Sequence, residues 1–117
     1  MRPKDSTVNM HLAPELMDTL WALDAYWRDA VGYELIVTSG RDGEHKLYSL
    51  HYVGCACDIR TWTSANSKRQ ISGTRRETIL RMARLIAGDE FDVVNEGHHF
   101  HIEWQPSHLP ENCNGSV

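Results

Sequence analysis

The stretch His99-Phe100-His101-Ile102-Glu103-Trp104 alternates polar and apolar side chains without a break. An extended chain sorts such a series into two faces, because residues two apart in a strand point to the same side. His99, His101 and Glu103 then share one face; Phe100, Ile102 and Trp104 share the other. The apolar face can bury in a core while the polar face lines a cleft. That division suits a functional site mounted on a rigid strand.

The rest of the chain supplies partners for this strand. Pro14-Glu15 opens a helix: proline suits the first helical position, and an acid there complements the helix dipole. Leu16, Leu20, Leu23, Trp27 and Val31 recur at steps of three and four and mark its buried stripe, and Gly32 ends it. Trp21 and Tyr26 flank the stripe and are expected to pack in the core. Residues 34–39 read as a strand, broken by Gly40-Arg41-Asp42-Gly43, and residues 53–62 as a second. After a polar loop at 63–73, Thr74 and Glu77 match a capping box. The helix they start carries Ile79, Met82, Ala83 and Ile86 inward and stops at Gly88. Residues 91–95 form a further strand, joined to 99–104 by a hairpin turn at Gly97. The expected fold class is α+β, a small and mainly antiparallel sheet with two principal helices packed on it.

At 117 residues the chain is one domain, 1–117, with 1–11 and 106–117 expected to be loose or irregular. It can bury a core without disulfides or a structural metal, so a metal would serve chemistry rather than folding. The net charge of -4 argues against nucleic acid, and Lys68-Arg69 with Arg75-Arg76 reads as solvated surface. No apolar run suits a membrane span or a signal peptide, which points to synthesis in the cytoplasm. Cys55 and Cys57 are poorly spaced to bond each other, and Cys113 lies in a polar tail; reduced thiols are the simplest expectation.

Upstream, His51 and Asp58 stand seven apart around Gly54. A catalytic zinc takes three protein ligands, commonly imidazole and carboxylate, and keeps one position open. That open position lowers the pKa of a bound water to about 7. His51, Asp58 and one histidine of the 98–101 cluster would complete such a set.

The segment Ser49-x-His51-x-x-Gly54-x-Ala56-x-Asp58 resembles the SxHxxGxAxD signature of the M15 zinc peptidases. These include D-Ala-D-Ala carboxypeptidases and dipeptidases and phage L-alanyl-D-glutamate endolysins, and share their fold with the hedgehog signalling domain. Residues 93–103 are similar to the family's closing strand, and Thr38-Ser39-Gly40-Arg41 to an early strand end whose arginine faces substrate. The resemblance spans about residues 34 to 105. It implies one catalytic Zn2+ held by His51, Asp58 and His101, with Arg41 on a substrate carboxylate or the scissile carbonyl and Ser49 beside the substrate. Gly54 and Ala56 would allow close backbone approach near the metal.

One position departs from the pattern. The family places Asp or Glu three residues before the last ligand as general base, and here that residue is His98. Glu96 is the other candidate base. In an alternative register His99 is the ligand and Glu96 stands three before it; strand geometry does not separate His99 from His101, which share a face. With His101 as ligand, His99 would stabilise the oxyanion.

The resemblance implies a zinc peptidase that hydrolyses an amide in the cell-wall stem peptide, L-alanyl-D-glutamate endopeptidase being the first choice and D-Ala-D-Ala carboxypeptidase the second. Such an enzyme would be phage-encoded or exported, reach peptidoglycan after release, and work as a monomer without membrane or nucleic-acid partners. The reading from another class is an inactive zinc-containing binding module of the same fold.

Overall fold

The computed structural model describes residues 1–41 and 54–105. The elements follow the chain as β1 (Arg2–Pro3), α1 (Pro14–Tyr26), β2 (Ile36–Ser39), β3 (Ala56–Arg60), α2 (Gly73–Ala87), β4 (Phe91–Asn95) and β5 (His99–Trp104). The five strands form one sheet in the order β1-β2-β3-β5-β4. Only β1 and β2 run parallel; the other three pairings are antiparallel. The expected α+β class is therefore found, with the site strands β3 and β5 side by side.

Helix α1 has proline at its first turn and Glu15 behind it, then continues into a π-helical turn, Trp27–Val31, closed by Gly32. The whole stripe Leu16, Leu20, Leu23, Trp27 and Val31 is buried. It meets Val37, Ile59, Phe100 and Ile102 from the sheet and Ile79 and Ala83 from α2 in one core. Trp27 meets Phe100 edge to face, centroids 6.4 Å apart, a preferred aromatic geometry. Trp21 departs from expectation: it is 53% exposed, one position past Leu20 and so turned off the buried stripe. Tyr26 does pack against the core, edge to face on Trp27.

The capping box at Thr74 is not formed. Helix α2 starts two residues earlier, with Ser72 in extended conformation as its cap residue and no side-chain cap bond. Its buried face is Arg76, Ile79 and Ala83, with Met82 and Ile86 only partly covered. No helix of the described residues is long and apolar enough to cross a membrane.

Residues 1–11, expected to be loose, add β1 to the sheet edge and bury Val8. The α-ammonium of Met1 lies 2.9 Å from the buried Asp24, which also accepts from Arg28 Nε and from the Leu35 backbone N–H, both at 2.9 Å. Burial alone would raise the Asp24 carboxyl; the bonds from the α-ammonium, Arg28 and Leu35 outweigh it and hold the group below the usual carboxylate range. A depressed folded-state pKa means that this stabilisation is full above the unfolded value, about 3.9, and fades as pH falls through the folded value. Asp24→Ala strands the buried Leu35 N–H and an ion pair, so a loss of about 3 kcal/mol is expected in urea unfolding at pH 7. The gap between variant and parent should narrow below pH 4.

Two further expectations concern the cysteines. Cys55 is disulfide-bonded, so the reading of all thiols as reduced fails there. Cys57 is free and fully buried; burial foremost, and then Asp58, push its thiol pKa up, as for an inert core residue. Cys113 lies outside the described residues.

Candidate metal centre

Strands β3 and β5 set Asp58 opposite His101, Ala56 opposite Glu103 and Arg60 opposite His99. The alternation in β5 is realised: Phe100, Ile102 and Trp104 are buried, and His99, His101 and Glu103 are half-buried on the other face. Asp58 is itself buried. Between β2 and β3 the register slips: Val37 faces Ile59 and Ser39 faces Asp58, which leaves Thr38 as an extra residue in β2. Bulges of this kind re-aim side chains beside functional sites.

Glu96 arrives from the β4–β5 turn. Gly97 has φ +89°, a conformation that suits glycine. The Glu96 N–H donates to the His99 carbonyl at 3.0 Å, and the Gly97 N–H to Asn95 Oδ1 at 3.0 Å. Buried Arg76 reaches the same turn from α2. It donates to Asn95 Oδ1 at 2.9 Å and to the Gly97 carbonyl at 3.0 Å, and on its other side to Thr61 Oγ1 and the Ile71 carbonyl, both at 3.0 Å. Gln70 Nε2 donates to the His98 carbonyl at 2.8 Å. The turn is thus pinned by α2 and by the 61–71 connection, and Arg76 is no solvated surface charge.

The result is a convergence of donors. His99 Nε2 lies 2.9 Å from Glu96 Oε1 and 3.5 Å from Asp58 Oδ1. Ligand atoms of Asp58, Glu96 and His99 all fall within 4.8 Å of one another. Zinc bonds to nitrogen and oxygen are about 2.0–2.2 Å long, so donors of one ion sit about 3–4 Å apart. One imidazole and two carboxylates close to that spacing are a fitting donor set for zinc. No family model, curated protein or solved structure matches the chain.

His101 is placed differently from His99. Its Nδ1 lies 2.8 Å from Asp58 Oδ1 and its Nε2 2.7 Å from Glu103 Oε1. Burial would lower its pKa, but the two carboxylate bonds prevail and raise it to about 10. Both ring nitrogens are thus engaged, and His101 holds Asp58 in place. A ligating carboxylate is commonly held by such an outer partner.

His98 is exposed in the turn and lies outside the three-residue donor cluster. Arg41 is exposed just past the end of β2, its backbone N–H bonded to the Asn9 carbonyl at 2.9 Å. His51 and Ser49 lie outside the described residues. Gly54 does serve a close approach, with φ +79°: a Cβ there would stand 2.7 Å from the His11 carbonyl oxygen.

Beside the donor cluster lies a cleft of about 610 Å³ lined by Thr38, Arg60, Trp62, Lys68 and His99 among others. Sequence reading missed this cleft. Arg60 could have been found, since it stands two residues after Asp58 on the same strand face. Lys68, beyond a loop of irregular backbone, could not.

Proposed function

We propose that the chain is a zinc-dependent peptidase that cleaves an amide in the peptidoglycan stem peptide, with L-alanyl-D-glutamate endopeptidase action of the phage-lysis type. The observation that carries this reading is the convergence of Asp58, Glu96 and His99 on the open face of the sheet. It favours the register in which His99, rather than His101, is the ligand. In that register Glu96 stands three residues before the ligand, and the resemblance to the M15 peptidases and their hedgehog-like fold no longer lacks its acid.

Asp58 and His99 would hold zinc together with His51, and the ion when bound would supply Lewis acidity toward the scissile carbonyl. Glu96, exposed at the turn, would take a proton from water and return it to the leaving amine. His101 orients Asp58. Arg41 would pair with a substrate carboxylate, which a guanidinium does in bidentate fashion.

Mass spectrometry of purified peptidoglycan, incubated with zinc-loaded protein and with a chelated control, tests the reading. New D-glutamate amino termini that depend on zinc are the expected result. Free D-alanine instead would make the enzyme a carboxypeptidase. Zinc bound tightly with no products from several wall types would replace the enzyme by a binding module.

A further inference from the structure

We propose that the cleft beside the metal centre is a carboxylate subsite that makes the protein select a free acid over the matching carboxamide in its substrate. The proposal rests on the peptidase reading and assigns a specificity to the same site.

The cleft gathers three cations, Lys4, Arg60 and Lys68, with Trp62 and Gln70, and its edge includes His99 of the donor cluster. Among the described residues no carboxylate lines it. The neighbouring acid, Asp5, is held by Thr7, whose backbone N–H donates at 2.9 Å and whose hydroxyl donates at 2.5 Å, and its charge offsets part of that of Lys4 and Arg60. Three cations lining a cleft that holds no carboxylate of its own attract an anion into it.

Arg60 is held ready for such a ligand. Its guanidinium lies over the Trp62 ring at 3.9 Å, and Nη1 donates to the Ala65 carbonyl at 2.9 Å. Its Nε is buried without an acceptor among the described residues. Lys68 is presented from the 62–70 loop at φ +58°, and that loop is closed by the bridge between Trp62 and Gln70. The loop therefore fixes the backbone from which the exposed lysine extends.

The distance to the centre follows from strand geometry. Arg60 faces His99 across β3 and β5, and such directly opposed pairs have Cβ atoms about 4.5–5.5 Å apart. Asp58 lies two residues from Arg60 on the same face, about 7 Å away. A carboxylate on the residue next to the scissile bond would reach these cations. A carboxamide of the same shape would make neutral contacts, which are about half as strong as charge-assisted ones. A phosphate group offers the same anionic chemistry, so it forms a separate arm of the test.

The test is an NMR titration of the full-length, 15N-labelled chain with chelator present, so that nothing is turned over. The probes are an L-alanyl-γ-D-glutamyl-L-lysine tripeptide with its free α-carboxylate, the same peptide as the α-carboxamide, and inorganic phosphate. The acid should bind about tenfold tighter than the amide, with shifts at Arg60, Lys68, Gln70 and the Trp62 indole N–H. In the doubly substituted Lys4→Gln, Lys68→Gln protein, both sites being exposed, the ratio of acid to amide affinity should fall severalfold. Equal binding of acid and amide, no binding of either, or a preference undiminished by the double substitution would overturn the proposal; so would phosphate binding tighter than the acid. An acid preference seen in a protein that releases no zinc-dependent products would uphold the subsite and sink the peptidase reading, so the two failures are distinct.

Discussion

Glu96→Gln is expected to lower turnover of a stem peptide by about 10²–10⁴-fold, the range that a general base contributes. Glutamine keeps the size of the side chain and its place on the turn but cannot accept a proton. Glu96 is exposed and is fixed through its backbone, so the variant should fold as the parent does. His98→Gln is the matched control. His98 is tied down through its carbonyl and lines the neighbouring cleft but takes no part in the donor cluster, so its loss should fall well short of the range set for a base. A large loss at His98 with little at Glu96 would make His98, the other candidate, the base. If Glu96→Gln removes zinc together with activity, its role is ligand rather than base.

The second large effect concerns the choice between two histidines. His99→Ala is expected to cost zinc affinity by well over 100-fold, read by competition with a chromophoric chelator. His101→Gln should cost about 10–100-fold, as expected for a partner that orients a ligand. The order follows from geometry, since His101 spends both ring nitrogens on Asp58 and Glu103 while His99 lies in the three-donor cluster. The reverse order would make His101 the ligand. Both readouts are of metal binding alone, so neither depends on finding the right substrate.

Much of this architecture is written in period and punctuation. The three- and four-residue steps from Leu16 to Val31 gave a helix whose stripe is buried at every position. The two-residue period of β5 gave its span and both its faces. Where single residues decided, the reading was weaker. Thr74 and Glu77 carry a capping signature, yet the helix begins at Gly73, and the nearby Arg76 is a buried donor to five oxygen acceptors. Arginine inside a fold is recognised only once its acceptors are assembled from 61, 70, 71, 95 and 97, which are far apart in sequence. The same holds for His99 and His101. They share a face, and what separates them is the position of Glu96 across the turn and of Glu103 along the strand.

The guanidinium of Arg76 joins parts of the chain that would otherwise form independently. Because its acceptors come from both the 61–71 connection and the 95–97 turn, the placement of Glu96 is tied to the docking of α2 on the sheet. Loss of the donor cluster and loss of the helix should therefore coincide along a denaturant titration.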